Sequence, residues 1–369
     1  MTSRLTSSIV CALQVPGAAA AQAPRVVNGQ VAARAAGSSL EQTFHAIVST
    51  QTDPAWIGYE VPVVDGNRRV CCGSGDGVWI SDDGCGESGI GRVRLRDGDS
   101  NRTAAPATRV GGEAVPVRLE GSDQLLVLFR VEHREVERIR VLSGDCTLDA
   151  GGRTIYWLEG VPPAQSVAWL DTFVDRNATN RSRLTSSAVD AIALHRDDSA
   201  ERALEQMIQP ASPAFLARKA AFWLATTRGH AGFVTVERLA RTSANDDVRK
   251  GAIFALSQSP DAGATPALLD LGRSDASPKV RGEAIFWLAQ KAGRKVAAAI
   301  TERIEQDPDT AVKKRAVFAL SQLPPDEGVP LLIQVARTNR NPEVRRQAMF
   351  WLGQSRDPRA LTFFAEILK

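Results

Sequence analysis

Phe222, Phe254, Phe286, Phe318 and Phe350 recur every 32 residues without insertion or deletion, each followed by Trp or Ala and then Leu. Fixed self-similarity at this length marks stacked copies of one supersecondary unit, because a single copy cannot bury its own apolar face. The C-terminal half of the chain is therefore expected to be a solenoid. Stacked units build long surfaces rather than deep pockets, which points toward holding a partner.

Alignment on the phenylalanines brings other columns into register. Asn245, Ser277, Asp309 and Asn341 share one column, and all four are residues that cap helix starts. Pro278 and Pro342 follow two of them, at the first helical position, where no N–H is needed. An apolar column (Val248, Val280, Val312, Val344), an alanine column (Ala252, Ala284, Ala316, Ala348) and a leucine column (Leu256, Leu288, Leu320, Leu352) follow four residues apart. That spacing puts the three on one helical stripe. The first helix of each unit is thus expected to be the buried one, with the phenylalanines in the core.

A second amphipathic segment follows a short turn in each unit, as in Phe233-Val236-Leu239. Upstream, Leu184, Ala188 and Ile192 form a further copy whose phenylalanine position holds Asp190, which suits a terminal unit facing water or another domain. The expectation is about six helix pairs over residues 182–369.

Asp247-Val248-Arg249, Pro278-Lys279-Val280-Arg281 and Pro342-Glu343-Val344-Arg345, each followed by Ala-x-x-x-Leu, resemble the short HEAT-like repeat of phycobilin lyase subunits and many bacterial scaffold proteins. The resemblance implies an all-α solenoid. It leaves function open, because such arrays serve unrelated roles.

Residues 182–369 carry 27 Lys and Arg against 21 Asp and Glu, or +6, and residues 1–181 carry 18 against 21, or −3. Neither excess is the footprint of a nucleic-acid binder. Residues 1–23 contain Arg4, a short apolar run from Ile9 to Leu13, and Ala21-Gln22-Ala23, which resembles a bacterial secretory signal peptide. No other segment could span a membrane. The chain beyond it holds four cysteines, Cys71, Cys72, Cys85 and Cys146. An even count in one part of an exported chain reads as two disulfides. Adjacent cysteines bridge poorly, so Cys71 and Cys72 are expected to be divided between Cys85 and Cys146, with the pairing open. A zinc site of these cysteines with His133 is the alternative, but no Cys-x-x-Cys spacing supports it.

Ser38 and Glu41 form a capping box ahead of Leu40, Phe44, Ile47 and Val48, so one helix is expected to open the N-terminal domain. From Trp56 onward, runs such as Trp56–Val61, Val115–Leu119, Leu125–Val131, Val136–Leu142 and Thr154–Leu158 read as strands. A small antiparallel β-rich domain over residues 24–165, a linker over 166–181 and the solenoid complete the expected organisation.

Gly-x-Ser-x-Gly, Walker, His-Glu-x-x-His and Gly-x-Gly-x-x-Gly motifs are all absent. The four histidines, at 45, 133, 195 and 230, are not at metal-ligand spacing, and the repeated His-Glu pairs of HEAT-like hydroxylases are missing. Asp76, Asp82, Asp83 and Glu87 lie among glycines between 73 and 89, which reads as turn composition in preference to a calcium loop. No catalytic, cofactor or metal residue is assigned.

Three columns remain as candidates for recognition. Trp223, Ala255, Trp287, Ala319 and Trp351 alternate after the phenylalanines, as large-against-small packing or as an aromatic ladder for a sugar or peptide. Gln258, Gln290, Gln322 and Gln354 close the first helices, and Arg249, Arg281, Lys313 and Arg345 recur near their starts, beside Lys250, Lys314 and Arg346. These are read as repeat-to-repeat links or as the lining of a docking strip. The resulting expectation is an exported, periplasmic or secreted, non-enzymatic scaffold with a protein partner on its repeat surface. A lyase or modifying factor, from the resemblance to phycobilin lyase subunits, is one alternative. A nucleic-acid binder like the HEAT-like DNA glycosylases is another, disfavoured by an exported address and the modest charge.

Overall fold

The computed structural model describes residues 24–65, 69–70, 80–81, 92–95, 122–177 and 182–368. In chain order the first part holds β1 (Val26–Val27), β2 (Gln30–Ala35), α1 (Leu40–Thr50), β3 (Ala55–Pro62), β4 (Arg69–Val70), β5 (Ile80–Ser81), β6 (Arg92–Arg94), β7 (Gln124–Glu132), β8 (Glu135–Ser143), β9 (Thr147–Asp149), β10 (Thr154–Glu159) and α2 (Pro163–Asp171). The signal-peptide residues, Cys71, Cys72, Cys85, the glycine-rich acidic loop and the strand expected at 115–119 fall outside the described residues.

A small β-rich domain precedes the solenoid, with its main sheet in the order β2-β10-β3-β7-β8. The antiparallel pairing expected from the sequence holds for β3 with β7 and β7 with β8, whereas β2, β10 and β3 run parallel to one another. A smaller sheet, β1-β9-β6, is parallel throughout. Alternation along a strand reports which face each residue buries, not the direction of its neighbour. Helix α1 is the crossover that lets β2 and β3 share one direction. Its cap is Ser39, whose Oγ accepts from Gln42 N–H at 3.3 Å, so the box lies one residue later than Ser38 and Glu41.

Strand β7 is buried on both faces. Leu125, Val127, Phe129 and Val131 meet the helices, while Leu126 and Leu128 meet Trp56, Val93, Leu148 and Trp157 under the smaller sheet. The first face continues into the core of the solenoid, where α3 lies against β8.

The solenoid holds six pairs: α3 (Arg183–Leu194) with α4 (Asp198–Met207), α5 (Ala214–Thr227) with α6 (Gly229–Thr242), α7 (Asp246–Gln258) with α8 (Ala264–Ser274), α9 (Pro278–Ala292) with α10 (Ala297–Gln306), α11 (Thr310–Ser321) with α12 (Pro325–Thr338), and α13 (Pro342–Gln354) with α14 (Pro358–Ile367). Asn245, Asp309 and Asn341 cap their helices through the side chain, and Ser277 makes no such bond. The first helices pack neighbour against neighbour, and the alanine column, fully buried throughout, is what allows that approach.

The phenylalanine column departs from expectation. Phe222, Phe254, Phe286 and Phe318 are half-buried, and Phe350 is 54% exposed. Each stands two residues from both the alanine and the leucine column, about 200° around the helix, and so cannot share their face. Asp190, expected to meet water or another domain, is buried against the next repeat.

The segment expected to be a linker begins as helix. Ser166 of α2 is buried between the sheet and the solenoid, where the Tyr59 hydroxyl meets Ser166 Oγ at 2.7 Å and Ser166 Oγ meets His195 Nε2 at 2.7 Å. His195 Nδ1 donates to the Ala191 carbonyl at 2.7 Å. That fixes the tautomer, so Nε2 accepts from Ser166, and Ser166 in turn accepts from Tyr59. The strand β3 also runs on into this joint, with Val64 N–H donating to Leu194 O at 2.7 Å and Arg196 N–H to Pro62 O at 3.0 Å.

Candidate functional site

Most of the basic column chosen from the sequence works inside the array. Arg281 forks onto Asp307 through Nε and Nη2 at 2.8 and 2.9 Å and donates through Nη1 to Asp275 O at 2.9 Å. Arg249 bonds the Ala240 carbonyl at 2.8 Å and the Asp275 carboxylate. Arg345 holds the carbonyls of Asn339 and Arg340, and Lys313 that of Glu305. The receiving column, Asp275, Asp307 and Asn339, also accepts the backbone N–H two residues on in each copy. Each arginine is therefore a clamp between an incoming helix and the turn of the same or the following unit. The column one residue later, Arg218, Lys250, Lys314 and Arg346, is the one on the phenylalanine face, since it lies four residues before each ring.

The glutamine column lies on that same face, four residues after each ring. Gln290, Gln322 and Gln354 are exposed and Gln258 is half-buried. Gln258 and Gln322 donate to the hydroxyls of Ser257 and Ser321 at 3.0 and 3.1 Å within their own helix ends. They do not link repeats through these bonds.

Between the two columns the rings form one continuous chain. Phe222 stacks on Phe254 at 6.0 Å and 11°, and Phe286 on Phe318 at 5.3 Å and 4°. Trp287 bridges Phe254 to Phe286, and Trp351 bridges Phe318 to Phe350. The alternation of Trp with Ala now has a cause. Where the second helix of a pair carries Ala255 or Ala319, fully buried, the two phenyl rings close directly on each other; where it carries Trp, the indole fills the gap.

The strip ends at α3, where Asp190 accepts from Trp223 Nε1 at 2.8 Å and pairs with Lys219 Nζ at 2.7 Å. Burial pushes the Asp190 carboxyl up, against the pull of Lys219 and Trp223. These groups, with Arg218, Phe222 and Phe254, line a recess of about 330 Å³. A second cavity of about 610 Å³ opens between α11 and α13, lined by Gln322, Trp351 and Gln354 among others.

Among the described residues no group of three or more His, Cys, Asp and Glu could hold a metal, and no helix is long and apolar enough to cross a membrane. Cys146 is buried and disulfide-bonded, with its partner outside the described residues.

The model of HEAT repeats matches residues 265–337 and 297–369. No curated protein is significantly similar to the chain. Among solved structures, human deoxyhypusine hydroxylase in complex with glycerol is 17% identical, covering 55% of this chain and 78% of its own, with a TM-score of 0.30. The complex of CpcE and CpcF of phycocyanin lyase from Nostoc sp. PCC7120 is 20% identical, covering 42% and 97%, with a TM-score of 0.32. Kap121p is 13% identical, covering 51% and 25%, with a TM-score of 0.34. The C-terminal half of the chain is a HEAT-repeat α-solenoid, and a mixed β sheet packs against its first helix.

Proposed function

We propose that the chain is an exported, non-enzymatic scaffold that holds a protein partner along the ring strip of its first helices. The observation that carries this reading is the partial or greater exposure of seven contiguous rings, bordered by a glutamine row and a basic row. Exposed apolar surface of this length costs solubility unless a partner covers it. The Ser166–His195 contact supports a non-enzymatic role despite its likeness to a nucleophile and base, because both side chains are fully buried and Tyr59 closes the serine from the other side. The leader-like residues 1–23 and the disulfide at Cys146 support export, with Cys71, Cys72 and Cys85 as the remaining framework.

Tagged protein from the native host should recover a partner that is lost from Phe286→Ala/Phe318→Ala protein with a near-native melting temperature. Equal recovery by the double variant would refute the strip as the docking surface. Mass spectrometry of the native protein should find a start near Ala21 to Pro24. An intact N-terminus in the cytosolic fraction would refute export.

A further inference from the structure

Resting on that scaffold reading, we infer that the partner segment is extended and acidic, and that Arg218 and Arg315 are the residues that recognise its carboxylates. In the two pairs stacked along the array at 4° and 11°, each ring covers one face of its partner. Along the two rows that border the rings on the helix-start side, cations stand at Arg218, Lys219, Lys250, Lys314, Arg315 and Arg346, and a carboxylate only at Glu283. That carboxylate is already engaged, accepting from Trp287 Nε1 at 2.7 Å and from Arg315 at 3.3 Å. Lys219 is likewise committed to Asp190. Lys250 and Lys314 face Asp247 and Glu343 at 3.4 and 3.6 Å, and exposed pairs of this kind exchange readily with a partner's charges.

Two arginines are seated in advance, one by a glycine and the other by the rings. A Cβ on Gly251 would lie 2.2 Å from Arg218 Cγ, so only glycine lets the Arg218 stem lie across α7 beside the 330 Å³ recess. A Cβ on Gly282 would meet Arg315 only at an ordinary 3.4 Å, and Arg315 is seated instead by the rings, its guanidinium 4.4 Å from the centre of the Phe286 ring and 5.5 Å from that of Phe318. A planar fork seated in advance loses little freedom when it takes a carboxylate. The two side chains are rooted three first helices apart, on α5 and α11, but lean toward α7 and α9, so their seats are about 8–20 Å apart at ordinary interhelix spacing, the reach of about three to six extended residues. Across the rings from them the glutamine row offers donors and acceptors to an extended main chain. Single-stranded nucleic acid is the other polyanion such a strip could attract, but its bases need ring faces to stack on, and in both parallel pairs one face of each ring is already covered by its partner.

The test is fluorescence anisotropy on the full chain, with labelled Glu-Gly, Ser-Gly and Lys-Gly repeat peptides of about ten residues and an oligothymidylate as probes. The Glu-Gly peptide should bind best, more weakly as salt rises. Arg218→Ala/Arg315→Ala should lose about tenfold in affinity with an unchanged melting temperature. Gly251→Ala, which unseats Arg218, should lose several-fold with every charge retained. Binding no better than Ser-Gly, no loss in the arginine variant, or tighter binding of the oligothymidylate would each overturn the inference. A native partner lost from the Phe286→Ala/Phe318→Ala protein but indifferent to the arginines would leave the scaffold standing and remove the acidic segment alone. A partner indifferent to the rings would remove the scaffold reading itself.

Discussion

Lowering the pH should loosen the joint between the β domain and the solenoid at one titrating group, His195. Burial, aided by the nearby Arg228 charge, holds its pKa at about 4, below the ordinary 6.5, although the bond to Ala191 O pulls the other way. In the unfolded chain the ring takes a proton as pH falls through about 6.5, and in the folded chain it cannot until about pH 4. Its contribution is therefore fully present above 6.5 and is lost between 6.5 and 4. A separation of about 2.5 pH units corresponds to about 3 kcal/mol. The geometry gives the same sign, because an imidazolium carries N–H on both nitrogens and Ser166 O–H then loses its acceptor. The assay is denaturant unfolding of the wild type and His195→Gln between pH 7.5 and 4. The variant should be the less stable at pH 7.5, and the gap should close by about 3 kcal/mol at the acid end. A gap that stays constant with pH would show that His195 is not the group responsible.

Arg281→Ala should cost about 3–5 kcal/mol in denaturant unfolding, since it leaves the Asp307 carboxylate, 1% exposed, without its fork; removing both residues together should cost less than the two single losses combined. Phe286→Ala should fall below the ~3–5 kcal/mol of a fully buried ring, because Phe286 is half-exposed. A loss inside that range would mean the strip is core. Asp309→Ala should cost about 1 kcal/mol by thermal melting and Ser277→Ala only a few tenths, as only the first makes a side-chain cap bond. Equal shifts would show that the cap bonds do not matter here.

Much of the candidate site was legible in the sequence, though one residue out of place. The basic periodicity near the helix starts is plain, yet Arg281 and Lys314 belong to neighbouring columns with different work, the one buried on Asp307 and the other on the ring face. Adjacent residues lie about 100° apart on a helix, so the difference is decided by what the helix meets. Asp190 illustrates the same point. A charge in an apolar column suggests a terminal unit facing outward, but Lys219 and Trp223 of the next repeat make a buried place for it.

The 32-residue period, the helix pairs and three of the four cap bonds followed from the sequence alone, because propensity, capping and amphipathic spacing are local properties that each copy repeats. The parallel pairing of β2 and β10, and the Tyr59–Ser166–His195 chain across 107 and 29 residues, were decided only by the tertiary structure. So was the half-exposure of the phenylalanines. Periodicity tells which residues share a face of their own element, and only the packed neighbours determine whether that face meets a core, a clamp or water.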